Sequence, residues 1–130
     1  MTQISFRLKS GQLLKEEIEA RTRNIKAGVL LSIVGALDNA NLRMAGATKD
    51  NQTVLNFAGP FEIVSGTGTI SPDGCHIHIS VSDTEGKVIG GHLKDGSRVG
   101  VTAEIVIGVF EEARFNRILD SDTGFEELEI

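Results

Sequence analysis

Hydrophobic and polar positions alternate along most of this 130-residue chain, which is the pattern of strands buried on one face. The alternation predicts strands over residues 4–8, 29–37, 41–45, 53–57, 61–70, 75–82, 87–93 and 99–110. Only residues 11–27 change to a helical spacing, with Leu14, Ile18 and Ile25 on one side. The pattern therefore predicts an α/β fold of the α+β type, with a central, mostly antiparallel sheet and one main helix.

The segment 99–110 differs from the other predicted strands because it is nearly continuous apolar. Strands of that kind are usually covered on both faces. We expect the core of the chain to cover one face and another subunit to cover the other, which predicts an oligomer.

The three histidines of the chain, His76, His78 and His92, lie on the predicted hairpin of strands 75–82 and 87–93. His76 and His78 leave the same face of their strand, about 7 Å apart. If residues 84–86 form a three-residue loop with Gly86 in the left-handed conformation, His78 lies directly opposite His92, about 5 Å away. A loop one residue longer or shorter would send His92 to the other face, so the predicted cluster depends on the turn.

Three neutral imidazoles that leave one coordination position open are the ligand set of catalytic zinc. The sequence therefore predicts a metal site at His76, His78 and His92, with zinc as the first candidate. Nickel, iron and cobalt also accept imidazole and stay open as alternatives. The competing interpretation is that the histidines are three unrelated polar residues on a solvated sheet face.

A zinc site that activates water needs a carboxylate to accept the proton, and the candidates are Glu104, Glu62 and Asp83. Glu104 is the preferred catalytic residue because an acid among Val and Ile residues needs a reason to be there. The alternative is that Glu104 is a buried structural partner for a backbone amide or for an arginine such as Arg7 or Arg43.

Composition limits the partners of the chain. The formal net charge is -5, the basic residues are scattered, and neither Trp nor Tyr is present, so strong DNA binding by phosphate contacts or base stacking is disfavoured. With 40% hydrophobic residues, the length predicts a single domain over 1–130. No apolar run approaches the roughly 20 residues of a membrane span, and the lone Cys75 agrees with a reducing compartment, so we expect a cytoplasmic protein without membrane contact.

Several short motifs together resemble the plant and prokaryote conserved (PPC) domain in its stand-alone bacterial and archaeal form. They are Phe6-Arg7-Leu8 with Gly11 before the helix, Ser32-Ile33-Val34-Gly35-Ala36-Leu37, Phe61-Glu62-Ile63-Val64-Ser65-Gly66, Asp73-Gly74-Cys75-His76-Ile77-His78, Gly86-Lys87-Val88-Ile89-Gly90-Gly91-His92-Leu93, Ala103-Glu104 and Thr123-Gly124-Phe125-Glu126-Glu127-Leu128. The resemblance implies a central antiparallel sheet and assembly as a homotrimer. Some prokaryotic members hold metal on the equivalent histidines, which here are His76, His78 and His92.

In plants the PPC domain follows an AT-hook that contacts DNA, and a Gly-Arg-Phe-Glu-Ile-Leu segment is associated with recruiting other nuclear proteins. These 130 residues contain no AT-hook, and the corresponding segment reads Gly59-Pro60-Phe61-Glu62-Ile63-Val64. Pro60 removes the cation of that segment, which together with the acidic balance disfavours DNA as a partner.

The predicted fold is also similar to that of acetolactate decarboxylase, a zinc enzyme with a His-x-His pair and a third His. If this chain is an enzyme, the similarity implies a metal-dependent lyase or hydrolase that acts on a small carbonyl acid. The sequence thus favours a homotrimeric, zinc-binding PPC protein with a regulatory or catalytic role. The alternative hypothesis is a DNA-associated or protein-interaction module without catalysis.

Overall fold

The computed structural model describes residues 1–130 and contains eight strands and one helix. In chain order they are β1 (Thr2–Lys9), α1 (Leu14–Thr22), β2 (Gly28–Arg43), β3 (Val54–Ser71), β4 (Gly74–Ser82), β5 (Val88–Leu93), β6 (Val99–Val109), β7 (Asn116–Leu119) and β8 (Glu126–Glu129). The mostly antiparallel sheet with one helix that the sequence predicts is confirmed.

Six strands form one antiparallel sheet in the order β1-β6-β2-β3-β4-β5, and β7 pairs separately with β8. The end of β2 also pairs with β5, through Leu42 opposite Leu93 and Arg43 opposite His92. Because of this extra pairing, β2, β3, β4 and β5 close into a ring of strands with an inner and an outer face.

β2 and β3 are each one long strand, although the sequence pattern predicts two shorter strands in each place. The pairing of these strands is interrupted between Leu37 and Asn39, and Gly59 and Pro60 lie opposite this interruption. Proline has no N–H to donate to a ladder and is tolerated at such bulges. The polar residues and the proline at this point look like loop residues in the sequence, but in the structure they lie at a bulge within continuous strands.

The inner face of the ring holds the hydrophobic core. Ile77, Ile79 and Val81 alternate along β4 and are all buried. Leu14 and Ile18 of α1 are fully buried in the same cluster, so the helix closes the core on the β4 side. Since one face of β4 is occupied by these residues, the side chains between them must lie on the outer face.

The helix is shorter than the predicted 11–27 because the residues before it bond to another segment. Gly11 donates its N–H to the carbonyl of Val99 at 2.9 Å, and Leu14 donates to Ser97 at 2.8 Å. Gly11 has a φ of +92°, which is outside the helical region. With nine residues, most of them polar, α1 is too short to cross a membrane.

β6 is buried on one face and partly exposed on the other. Ala103, Ile105 and Ile107 are buried, whereas Glu104 between them is exposed. Within one chain, the predicted cover on both faces is therefore present on one face only. Exposed apolar side chains lie on three adjacent strands of this region, namely Leu31, Val34, Val64 and Val101, with 50 to 80% of their surfaces accessible.

Candidate metal centre

The loop between β4 and β5 has the predicted three-residue geometry. Asp83 donates its N–H to the carbonyl of Lys87 at 2.9 Å, and Gly86 has a φ of +82°. As a result His78 lies directly opposite His92, which confirms the predicted register. The Asp83 carboxylate accepts hydrogen bonds from the backbone N–H groups of Glu85 and Lys87, both at 2.9 Å, so it serves the turn.

This register brings the three histidines together on the outer face of the ring. The Nε2 atoms of His76 and His78 are 3.2 Å apart. One nitrogen from each of the three rings lies within 4.8 Å of the other two. Two nitrogen ligands about 2.0–2.1 Å from a zinc ion at the tetrahedral angle are themselves about 3.3 Å apart. The Nε2 atoms of His76 and His78 therefore have about the separation that zinc requires.

The surroundings favour the neutral form of two of these imidazoles. Burial lowers the pKa of His92 to about 3, and the Arg43 guanidinium adds to this effect. Burial and the charge of Arg117 also lower the pKa of His76. A neutral imidazole has a free lone pair, which is what a metal ligand needs.

Two arginines flank the triad. Arg43 lies opposite His92 across β2 and β5, and its Nη2 is 3.1 Å from the Nδ1 of His92. Arg117 of β7 donates from Nη2 to the Oγ1 of Thr69 at 2.8 Å, and Thr69 lies directly opposite His76. Each arginine therefore places a guanidinium group beside the histidines.

The β7–β8 hairpin, which the sequence pattern does not predict, forms one wall of the site. The backbone N–H of Arg117 donates to the Asp73 carboxylate at 3.1 Å, and the Cζ of Arg43 lies 5.1 Å from the centre of the Phe125 ring. Between this hairpin and the histidines is a cavity of about 320 Å³, lined by His76 and His92 among others. The sequence signal for the hairpin is the turn 120–124, which ends on Gly124 with a φ of +78°.

Cys75 also lines this cavity, but it packs against the hydrophobic core and lies on the opposite face of β4 from His76 and His78. Burial, assisted by the nearby charge of Glu19, raises the pKa of the Cys75 thiol to about 12. The Glu19 carboxylate also accepts a hydrogen bond from the Cys75 N–H at 3.3 Å, which fixes the start of β4 against α1.

The structure does not bring Glu104 to the histidines within one chain. Glu104 is exposed on β6, opposite Arg7 and Val34, and two strands separate β6 from β4. Within one chain the side chain is exposed next to alternating buried residues, so the alternative of a buried structural partner is not met there. None of the cavities that His76, His78 and His92 line includes Glu104. A catalytic role for Glu104 stays a prediction.

Residues 1–111 match the family described as the Plants and Prokaryotes Conserved (PCC) domain, also written PPC, and the chain belongs to this family. It is 43% identical over 127 residues to the bifunctional protein GlmU of Synechococcus sp. (strain JA-3-3Ab). That alignment covers 96% of the chain but only 20% of GlmU, so the chain spans about a fifth of the length of this relative. It is also 28% identical over 113 residues to the AT-hook motif nuclear-localized protein 13 of Arabidopsis thaliana, covering 79% of the chain and 25% of that protein.

Solved structures share this fold. A protein from Salmonella enterica superposes with a TM-score of 0.90 at 31% identity, covering 98% of this chain and 91% of the other. A metal-containing protein from Archaeoglobus fulgidus gives 0.83 at 27% identity, covering 100% and 94%. A PPC protein from Pyrococcus horikoshii gives 0.86 at 26% identity, covering 100% and 92%.

The similarity to acetolactate decarboxylase is more distant. A Staphylococcus aureus protein described as similar to that enzyme superposes with a TM-score of 0.57 at 20% identity, covering 83% of this chain and 52% of the other. This likeness extends to the fold alone. The family membership and the distant similarity predicted from the sequence are both confirmed.

Proposed function

We propose that this chain is a homotrimeric, metal-binding PPC protein in which residues 1–130 form one domain and His76, His78 and His92 hold a zinc ion. The observation that carries the proposal is the convergence of three imidazole nitrogens within 4.8 Å. The Archaeoglobus fulgidus neighbour, described as metal-containing, supports the same conclusion. Three His ligands leave a fourth position free, as in catalytic zinc sites.

Zinc bound there would act as a Lewis acid toward an oxygen atom of a ligand in the adjacent cavity. The role is regulatory or catalytic. In its catalytic form the chain is a lyase or hydrolase that acts on a small carbonyl acid. His76 and His92 line the cavity where such a ligand would bind, and residues of the β7–β8 hairpin form another part of its lining.

The metal is tested by elemental analysis of protein purified without an affinity tag. We expect the wild-type chain to retain about one zinc per chain, and each of His76→Ala, His78→Ala and His92→Ala to lose it. Ser80→Ala is the matched control, because Ser80 continues the same face of β4 and should keep the metal. Equal metal content in all five proteins would refute the proposed centre.

The trimer accounts for the exposed apolar side chains on β2, β3 and β6, since a patch of that kind marks an interaction surface. We expect light scattering to give a mass three times that of the 13.9-kDa chain. Val34→Asp should dissociate the trimer. Val88→Asp, which changes an equally exposed valine on β5, should leave it intact. A monomeric wild type would contradict this assembly.

A proton-transfer role for Glu104 depends on the trimer, because only a neighbouring subunit could bring this residue near a triad. Glu104→Gln with zinc retained should abolish any turnover of 2-oxo or acetohydroxy acids if the residue accepts the proton. Unchanged turnover would remove Glu104 from the site.

A second candidate function is association with DNA, which the likeness to the Arabidopsis AT-hook protein favours. The net charge of -5 opposes it. DNA retention that is salt-sensitive, and that survives both chelation and the triple His→Ala replacement, would support this function over the metal centre.

A further inference from the structure

Three cationic side chains border the cavity beside the triad, and none has a carboxylate partner. Arg43, Lys94 and Arg117 are half-buried, yet the four ion pairs of the chain involve other residues. Confined cations without a counter-charge attract anions, and guanidinium groups in particular match the geometry of carboxylates and phosphates. Although three carboxylates also line the cavity, these three cations form no ion pair and can donate to an anion.

The acidic residues on the same walls have other partners or face solvent. The Asp73 carboxylate accepts from the backbone of Arg117, and the Glu127 carboxylate accepts from the Thr123 hydroxyl at 2.9 Å. Glu126 is exposed at the edge of the hairpin. These carboxylates lie too far from the three cations to form ion pairs with them, which leaves the cations available to a ligand.

Arg43 is held where metal binding would release it. A guanidinium can only donate, so the 3.1 Å contact makes Nδ1 of His92 the acceptor and places the ring proton of neutral His92 on Nε2. A metal ion bound to Nε2 of His92 requires the ring proton to move to Nδ1. A metal ion bound to Nδ1 instead occupies the lone pair that accepts from Arg43. In both cases Arg43 loses its acceptor, while its guanidinium is still stacked on Phe125 at the cavity.

A divalent ion next to these cations would meet repulsion that a bound anion would reduce. We propose that the cavity is an anion subsite of the metal centre, where Arg43, Arg117 and Lys94 bind the charged group of a small carboxylate or phosphate ester. The subsite rests on the proposed metal centre, and its volume of about 320 Å³ is at the lower end for ligand pockets, which favours a small molecule. Anion and metal then strengthen the binding of each other by the same factor.

The test is calorimetric titration of zinc-loaded and metal-free protein with lactate and with methyl phosphate. We expect at least one of them to bind the wild type, and to bind more tightly when zinc is present. Arg43→Gln and Arg117→Gln should each weaken this binding roughly tenfold or more. Arg7→Gln, which changes an exposed arginine of β1 outside the cavity, should leave it unchanged. Binding of lactate alone would identify carboxylates as the ligands, and binding of methyl phosphate alone would identify phosphate esters.

Arg43→Gln should have a second effect of opposite sign, because it removes a cation beside the metal. Without added anion, zinc should bind this variant more tightly than the wild type. Arg43→Lys keeps the charge but not the planar fork, so it should bind the anions with intermediate affinity. Thermal melting of each variant verifies that the fold is retained.

Failure of the subsite and failure of the metal centre give different results. If neither anion binds in either state, or if both Gln variants bind as the wild type does, the anion subsite is wrong even when the His→Ala variants lose zinc. A second outcome is that the His→Ala variants keep as much zinc as the wild type, while anion binding to metal-free protein still requires Arg43. In that case the metal centre is wrong and the anion site is supported.

Discussion

Two hairpins frame the candidate site, and they are held in place by different forces. The β4–β5 hairpin belongs to the main sheet and buries Ile77, Ile79 and Val81 on its inner face. The β7–β8 hairpin has strands of only four residues, and polar contacts of Arg117 join it to β3 and to the turn between β3 and β4. The comparison indicates that the core fixes the three histidines, which are the proposed metal ligands, whereas a few hydrogen bonds hold the wall of the cavity.

The largest expected difference between the hairpins is in their contribution to stability. Ile77→Ala leaves a cavity in a fully packed core and should lower the free energy of unfolding by about 2–5 kcal/mol. Ile118→Ala on β7 removes a half-exposed side chain and should cost less than about 1 kcal/mol. Urea denaturation followed by circular dichroism measures both changes. Similar losses for the two variants would remove the distinction between the hairpins.

Substitution of the turn glycines should give a smaller difference in stability between the two hairpins. Gly86 has a left-handed backbone with open space around it, so Gly86→Ala should cost about 1 kcal/mol in unfolding free energy and keep the zinc. Gly124 has a similar φ, but a Cβ there would lie 2.7 Å from Cδ of Lys49. Gly124→Ala should therefore strain its hairpin more than Gly86→Ala strains its own.

The strain at Gly124 should nonetheless change the free energy of global unfolding very little. A weakly held hairpin opens locally before the sheet unfolds, so the lost free energy cannot exceed what holds the hairpin to the sheet. We expect a smaller shift of the urea midpoint for Gly124→Ala than for Gly86→Ala, together with faster amide exchange in residues 116–129. Loss of zinc in Gly86→Ala would contradict the view that its turn tolerates a side chain.

The two hairpins also differ in how far the sequence predicts them. Strong alternation, a turn sequence and Gly86 together determine the register of β4 and β5, and from it the meeting of His78 with His92. β7 and β8 are short and polar, so no periodicity distinguishes them from a loop. Sequence periodicity does not predict a hairpin of this kind, because its position depends on tertiary contacts and not on the spacing of its own apolar residues.

Two further residues illustrate the same limit. Arg43 reaches His92, 49 positions away in sequence, only because the end of β2 pairs with β5. Glu104 is surrounded in sequence by apolar residues, which predicted burial, but alternation puts it on the outward face of β6. A continuous apolar run specifies a strand without specifying which of its faces a second layer covers.

The smallest expected effect concerns the contact that docks the β7–β8 hairpin. Asp73→Ala removes the carboxylate that accepts from the backbone of Arg117, an exposed hydrogen bond worth about 1 kcal/mol. Global stability should change little, but amide exchange in residues 116–129 should accelerate roughly fivefold while β4 and β5 keep their protection. Asp50→Ala, an exposed aspartate without such a bond, is the matched control. Unchanged exchange in the hairpin would mean that Phe125 and Arg43, rather than Asp73, hold it over the cavity.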